Sequence, residues 1–219
     1  MKHYRSLLPA IALATCALGA SAGPNLLTNG SFETITGFVN QGNDTMSLPA
    51  GSTVMTGWTV ITDTTAWIGP TNPFGLSASD GSYFLDLTNY QFGAPFAGVR
   101  QTIATTPGST YRLSFDLGSS TFWGRPDSLS ASAAGASATF TTPSTGTNND
   151  WTHESLLFVA TGASTAVQLQ GVAGFNYIGL DNVSVEFVSA APVPEPGSWA
   201  LLAAGLAPLL LIARRRRAA

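Results

Sequence analysis

The 219-residue chain has few charged residues and almost no positive charge outside its two ends. Charged side chains make up only 10% of the sequence, and residues 23–191 contain no lysine and three arginines against eleven carboxylates, a net charge of −8. A protein that follows nucleic-acid phosphates needs clustered cations, because it binds by releasing counterions. The composition therefore excludes a nucleic-acid-binding protein of that kind.

Cysteine and histidine are equally scarce. The one cysteine, Cys16, lies in the N-terminal apolar segment, and His153 is the only histidine beyond residue 22. Disulfides and thiol chemistry are thus excluded from residues 23–191, and one imidazole cannot supply the usual zinc ligands. The same residues contain no Gly-x-Ser-x-Gly sequence, and the neighbours of His153 are typical of a surface strand. The sequence therefore predicts a protein that is not an enzyme, although a glycosidase, which needs only two carboxylates, stays open.

The N-terminus has the parts of a secretory signal peptide. Lys2 and Arg5 precede an apolar run, Leu7–Ala20, and the small residues of Ala20-Ser21-Ala22 follow it. A retained membrane helix is disfavoured because Pro9 interrupts a run that is already short. We predict that residues 1–22 are a signal peptide, removed by signal peptidase.

The C-terminus, residues 192–219, carries a second signal. Pro194, Glu195 and Pro196 precede an apolar stretch, Trp199–Ala213, and then four arginines. As a helix, such a stretch would reach about 22 Å, short of a hydrocarbon core of about 30 Å. The arginines should stay in the cytoplasm, which puts the domain on the outer side of the membrane. This arrangement resembles the PEP-CTERM sorting signal of Gram-negative bacteria, which implies an exosortase substrate from an organism that makes exopolysaccharide.

Between the two signals, residues 23–191 show period-2 alternation and no helix-length apolar stripe. The clearest segment is Tyr111–Leu117, in which every second side chain is apolar. The other predicted strands are Leu26–Phe32, Thr53–Ile61, Tyr83–Leu87, Val99–Ala104, Ala136–Thr141, Ser155–Ala160, Ala166–Gln170 and Val183–Phe187. About nine strands separated by Gly, Pro, Asn and Asp predict an all-β domain, an antiparallel β-sandwich. Residues 128–137 are too small and polar to assign.

Several motifs in this domain point to a family. Asn25–Glu33, Gly57–Val60, Asp80–Leu87 and Leu180–Val185 occur in family order, with Val99–Ile103 between them. Together they resemble the bacterial choice-of-anchor C family, which is similar to a plant cell-wall family and to galactose-binding-like jelly rolls. The resemblance implies an exported, carbohydrate-associated jelly roll without an assigned reaction. The disulfides of plant relatives do not transfer, since the domain has no cysteine.

The resemblance also implies a structural calcium ion. In similar carbohydrate-binding modules, the acid that ends the first motif and the aspartate of the last strand hold Ca²⁺. Their counterparts here are Glu33 and Asp181, with Asp80 as a third ligand. Ca²⁺ takes six to eight oxygen ligands, and the two termini of a jelly roll commonly run side by side. The alternative is that these carboxylates accept hydrogen bonds from backbone N–H groups at strand ends.

Aromatic residues supply candidate sugar contacts. Trp58 lies in an apolar segment and is predicted to belong to the core. Tyr90, Phe92, Trp123 and Tyr177 lie among Gly, Asn and Pro, which predicts loops at one rim of the sandwich. An exposed ring there can stack on a sugar, and Asp127 can bond its hydroxyls. The alternative is that these rings fold back over the edges of the core.

The sequence thus predicts an exported, non-enzymatic surface or matrix module that binds or organises extracellular polysaccharide in a biofilm. It is anchored transiently in the inner membrane by its C-terminal segment and then moves to the cell surface or matrix. A purely structural envelope or matrix protein without a sugar site is the alternative. A glycoside hydrolase is the less favoured third.

Overall fold

The computed structural model describes residues 23–89, 93–120, 126–142, 150–174 and 177–191, and every regular element within them is a β-strand. The strands are β1 Thr45–Leu48, β2 Thr59–Ile61, β3 Thr65–Ile68, β4 Phe84–Asp86, β5 Gly98–Ala104, β6 Thr110–Ser119, β7 Ser128–Ala133, β8 Ala136–Thr141, β9 Asp150–Val159, β10 Ser164–Ala173 and β11 Gly179–Ser189. No helix in these ranges is long and apolar enough to cross a bilayer. The predicted signal peptide and sorting tail lie outside them.

The strands form two antiparallel sheets that face each other. Sheet A has the order β1-β3-β4-β11-β6-β9, and sheet B has the order β2-β5-β10-β7-β8. Alternate side chains of both sheets point inward and form one main core, in which Trp58, Trp67 and Phe115 are fully buried. The predicted antiparallel β-sandwich and the core position of Trp58 are confirmed.

Two parts of the predicted strand pattern are corrected. Leu26–Phe32 is not a strand, because Asn29 and Phe32 have positive φ angles of 57° and 58°, which interrupt an extended backbone. The segment still runs beside β11: the Leu26 N–H donates to the Val185 carbonyl at 2.9 Å, and the Val183 N–H donates to the Gly30 carbonyl at 3.0 Å. The expectation that the two ends of the domain lie together is therefore confirmed.

The other corrections concern short or polar strands. The predicted strand Thr53–Ile61 is reduced to β2, and β1 and β3 were not predicted at all. The unassigned residues 128–137 contain β7 and the start of β8. In β7 the inward side chains are Leu129, Ala131 and Ala133, and two alanines give little hydrophobic signal against alternating serines. The main core, and not local composition, makes this segment a strand.

Five connections between the sheets begin and end at one end of the sandwich. In sheet A, the register pairs Ser119 with Asp150 and Gly118 with Gly179, so the end of β6 and the starts of β9 and β11 lie together. The chain leaves this end after β4 and β6 for sheet B and returns after β2, β8 and β10 to sheet A. We call this end of the domain the connection end.

A second, smaller core lies on the other face of sheet A. Ala66, Ile68 and Phe84 point away from the main core and are covered by Leu76 and Tyr177. Phe74, Ala78 and Trp151 pack around them. The chain between β3 and β4 therefore folds over part of the outer face of sheet A, where it brings a loop to strands β11 and β6.

Candidate functional site

The predicted sugar contacts divide into those outside the described residues and those inside them. Tyr90, Phe92 and Trp123 lie outside the ranges that the structure describes. By sequence they belong to the chain between β4 and β5 and between β6 and β7. Their roles stay predictions.

Tyr177 and Asp127 are described, and both are buried. The Tyr177 side chain is 0% exposed and packs in the second core, with its ring centroid 6.3 Å from that of Phe84. Asp127 is also 0% exposed, and its backbone N–H donates to the Thr142 hydroxyl at 3.0 Å. The prediction that these two residues offer an exposed ring and an exposed carboxylate to a sugar is therefore wrong.

Asp181 holds the loop that crosses the outer face of sheet A. Its Oδ2 accepts hydrogen bonds from the backbone N–H groups of Ser79 at 2.8 Å and Asp80 at 3.0 Å. Its Oδ1 accepts one from the Asn182 N–H at 2.7 Å. Burial raises the pKa of Asp181 to about 7, although the hydrogen bonds act in the opposite direction. The carboxyl is thus a buried anchor for the loop.

Glu33 and Asp80 fasten the same loop from its exposed side. Glu33 Oε1 accepts hydrogen bonds from the N–H groups of Ser82 at 2.7 Å and Tyr83 at 2.6 Å. The Ser31 hydroxyl donates to Asp80 Oδ2 at 2.5 Å. The first motif of the domain and its last strand therefore clamp residues 79–83 between them.

These contacts involve the carboxylates for which the resemblance implies a calcium site. Glu33 and Asp181 bond different backbone groups of the loop, and N–H donors face Glu33 Oε1 and both oxygens of Asp181. Among the residues that the structure describes, no group of three His, Cys, Asp or Glu side chains could hold a metal ion. The arrangement is the alternative one, in which carboxylates accept backbone hydrogen bonds. Calcium stays a prediction from the resemblance.

Asp116 connects His153 to this loop, which the sequence did not reveal. His153 Nδ1 lies 2.7 Å from Asp116 Oδ1, and the His153 side chain is 64% exposed. The Ser79 hydroxyl lies 2.7 Å from Asp116 Oδ2 and 3.2 Å from Asp181 Oδ2. Serine and histidine thus bind opposite oxygens of one carboxylate. A Ser-His-Asp site needs the hydroxyl on the imidazole, and this arrangement does not provide it.

Most side chains on the outer face of sheet B carry hydroxyl or amide groups, with Arg100, Ala104, Ala166 and Val172 among the exceptions. One row crosses all five strands, because Arg100 is paired with Thr59 and with Gln168, and Ser132 is paired with Gln168 and with Ser137. Neighbouring strands are about 4.8 Å apart, so the row is about 19 Å long. We call the following residues the hydroxyl–amide face: Thr59, Arg100, Thr102, Ser130, Ser132, Ser137, Thr139, Gln168 and Gln170.

The two outer faces of the sandwich differ in charge. None of the eleven carboxylates of residues 23–191 lies in a strand of sheet B, and Arg100 is the only charged side chain in that sheet. The outer face of sheet A instead carries Asp116, Asp181 and Glu186. Every side chain of the hydroxyl–amide face is exposed or half-buried, and no other element within the described ranges covers it. It is an open, polar and almost uncharged surface.

Sequence comparisons identify two segments. The profile of a family described as "Protein of unknown function (DUF642)" matches residues 25–177. The profile of the PEP-CTERM protein-sorting motif matches residues 192–217, which include the predicted Pro194, Glu195 and Pro196. This motif indicates export and a C-terminal membrane-anchoring sorting signal. No curated protein matches the chain in sequence.

Solved structures with a similar arrangement of strands include three carbohydrate-binding modules. The CBM22-1 xylan-binding domain of Paenibacillus barcinonensis Xyn10C is 16% identical, with 79% of this chain and 100% of that chain covered and a TM-score of 0.45. TmCBM61 in complex with beta-1,4-galactotriose is 17% identical, with 74% of this chain and 98% of that chain covered and a TM-score of 0.44. A family 35 carbohydrate-binding module from Clostridium thermocellum is 12% identical, with 66% of this chain and 99% of that chain covered and a TM-score of 0.44. The likeness concerns the arrangement of strands alone.

Proposed function

The chain belongs to the DUF642 family, which has no assigned function, so we propose a function from the site itself: this is an exported module that binds extracellular polysaccharide through the hydroxyl–amide face. The observation that carries the proposal is the contrast between the two outer faces. None of the eleven carboxylates of the domain lies in a strand of sheet B, and the outer face of that sheet presents mainly hydroxyl and amide groups.

The chemistry of this face suits sugars. Sugar hydroxyls both donate and accept hydrogen bonds, and so do Ser, Thr and Gln side chains. Each such bond contributes only about 0.5–1.5 kcal/mol net, so a single sugar ring would bind weakly. A row that crosses five strands can contact several rings of one chain at once. We therefore expect polymers to bind and their monomers to bind poorly.

A binding role also accounts for the buried acids better than catalysis does. A glycosidase needs two carboxylates that reach the scissile bond. The structure brings Asp116 and Asp181 together on sheet A, where both accept from the Ser79 hydroxyl. The Asp181 side chain is 0% exposed and is already used to hold the loop, so this pair offers no access to a substrate.

The sorting motif supports a binding role outside the cell. We predict that signal peptidase and exosortase leave a mature form of about residues 23–196, because the two signals flank a domain that is almost free of positive charge. Intact-mass measurement of the protein from the cell surface or matrix should give this form. Detection of the four terminal arginines on surface protein would contradict the processing.

Removal of two amides from the hydroxyl–amide face should weaken binding. Gln168 and Gln170 occupy the central strand, β10, and point outward, so Gln168→Ala with Gln170→Ala removes two donor–acceptor groups without opening the core. We expect the Kd for polysaccharide isolated from the native organism to rise by roughly tenfold, which corresponds to about 1.4 kcal/mol. Affinity electrophoresis of the mature protein through gels that contain the polymer measures this change.

A matched double variant on the other sheet serves as the control. Ser155→Ala with Leu157→Ala changes two outward positions on β9, again two residues apart. It should leave binding unchanged. Equal weakening by both variants would contradict a site on sheet B. Failure of the unaltered protein to bind any native polysaccharide would favour a structural matrix protein, and release of reducing sugar would favour a hydrolase.

A further inference from the structure

Arg100 has no obvious structural role on the hydroxyl–amide face. It is exposed in the middle of β5, between Thr59 on β2 and Gln168 on β10. Both neighbours are neutral, and no ion pair joins Arg100 to another residue in the part of the chain that the structure describes. Its guanidinium therefore lies on an otherwise uncharged surface, and no carboxylate of the described residues pairs with it.

Arg112 is a second exposed arginine in the domain, and its surroundings differ from those of Arg100. It also lies in the middle of a sheet, on the outer face of β6, and it is exposed. Its cross-strand partner on β11 is Glu186, which supplies the opposite charge. Opposite charges on paired positions stabilise a sheet, whereas an unpaired arginine gains no such contact. Among the described residues no ion pair joins Arg112 to Glu186 either, but Arg112 has a carboxylate at its paired position and Arg100 has only neutral partners, which makes Arg112 a useful reference for Arg100.

From this contrast we propose that Arg100 binds the carboxylate of an acidic sugar, so that the ligand of the hydroxyl–amide face is a uronate-bearing polysaccharide. The inference rests on the proposed function and narrows its ligand class. A guanidinium presents donors in a planar fork that matches the two oxygens of a carboxylate. The hydroxyl and amide groups of Thr59 and Gln168, on either side of Arg100, can then bond the hydroxyls of the same sugar ring or its neighbours.

The negative charge of the domain does not prevent an acidic polymer from approaching this face. The carboxylates lie outside the strands of sheet B, and those on the outer face of sheet A are separated from it by both layers of the sandwich, which pack about 10 Å apart. At physiological ionic strength the Debye length is about 8 Å, so their repulsion is largely screened at the hydroxyl–amide face.

The test compares three polymers and three variants of the mature protein. The polymers are alginate as a polyuronate, dextran sulfate as a polyanion without carboxylates, and dextran as a neutral chain. Arg100→Gln removes the charge and keeps an amide donor, and Arg112→Gln is its matched control. Gln168→Glu places a carboxylate on the strand position paired with Arg100, so that an internal ion pair competes with the ligand for the guanidinium. Melting curves confirm that each variant is folded.

We expect the unaltered protein to bind alginate roughly tenfold more tightly than dextran, with an affinity that falls as salt is added. Arg100→Gln and Gln168→Glu should remove this preference, and Arg112→Gln should keep it. Tighter binding of dextran sulfate than of alginate, or an alginate preference that survives Arg100→Gln, would overturn the carboxylate assignment while leaving the proposed function in place. If none of the three polymers nor the native polysaccharide is bound, the proposed function itself fails.

Discussion

Raising the pH from about 4 to about 8 is expected to lower the free energy of unfolding by up to about 4 kcal/mol through Asp181 alone. In the folded protein burial raises the pKa of this carboxyl from 3.8 to about 7. One pKa unit corresponds to about 1.4 kcal/mol of difference between the two protonation states, so a shift of about three units gives this magnitude. It is among the largest effects that a single group can have on this domain.

The direction of the effect follows from proton binding. Between pH 3.8 and about 7 the folded protein holds a proton on Asp181 that the unfolded chain has lost. Stability therefore falls as the pH rises through this window and levels off above it. This is opposite to the usual contribution of a salt-bridged aspartate, whose pKa is lowered by folding. The difference arises because burial disfavours the charged form of Asp181, and no described cationic side chain contacts it to offset this effect.

Chemical denaturation at a series of pH values measures this dependence. Asp181→Asn cannot ionise and should flatten the dependence of stability on pH, whatever its absolute stability, whereas Glu186→Gln on the same strand should retain it.

The same measurement tests whether Asp181 binds calcium. A bound cation favours the ionised carboxylate, so added calcium should raise stability at pH 8 and chelator should remove the gain. If neither calcium nor chelator changes the melting temperature, Asp181 acts only as a hydrogen-bond acceptor.

Gly30→Ala is expected to destabilise the domain by about 3 kcal/mol. An added Cβ at this position would overlap the carbonyl oxygen of Val183, a backbone atom that cannot rotate away. The hydrogen bond from the Val183 N–H to the Gly30 carbonyl would be lost as well, and with it the pairing of the N-terminal segment with β11. Thermal melting of the variant measures the loss.

Gly162→Ala provides the control for this substitution. An added Cβ there meets only the Ser164 backbone, at 3.7 Å and beyond, which is ordinary van der Waals contact. Its melting temperature should stay close to that of the unaltered protein. If Gly30→Ala were equally harmless, the N-terminal segment would not be packed against the last strand, and the clamp formed by Glu33 and Asp181 would lose its basis.

The long strands could be predicted from the sequence because their inward side chains are large. Tyr111–Leu117, inside β6, places four large apolar residues on one face, and the sandwich follows from several such segments. β7 could not be predicted, since alanines supply two of its three inward positions. β3 could not be predicted for another reason: it is buried on both faces, so apolar and polar side chains do not alternate along it. β1 has only four residues, and its buried positions do not alternate either.

For the predicted site residues, local composition does not predict burial or hydrogen-bond partners. Tyr177 lies in a stretch of Gly and Asn that is typical of an exposed loop, yet Leu76 and Phe84, distant in sequence, cover its ring. Glu33 and Asp181 were correctly associated with the two ends of the domain. Which groups their oxygens bond could not be predicted, because it depends on how the chain between β3 and β4 crosses sheet A.

The hydroxyl–amide face gave no sequence signal at all. Serines and threonines that alternate with apolar residues are typical of any solvent-facing side of a sheet. Only the register across five strands aligns Arg100 with Thr59, Gln168 and Ser132 in one row. The absence of carboxylates from sheet B could be counted once the strands had been assigned to sheets. The sequence alone does not make that assignment.

The most direct test of polysaccharide binding by this face is the map of backbone amide chemical shifts as polymer fragments are titrated into isotope-labelled mature protein. We expect the shifts that change to belong to β5, β10 and β7, with the largest changes near Arg100 and Gln168, and the outer face of sheet A to stay unaffected. Changes confined to β6, β9 and β11 would place any sugar site on the acidic sheet and contradict the account.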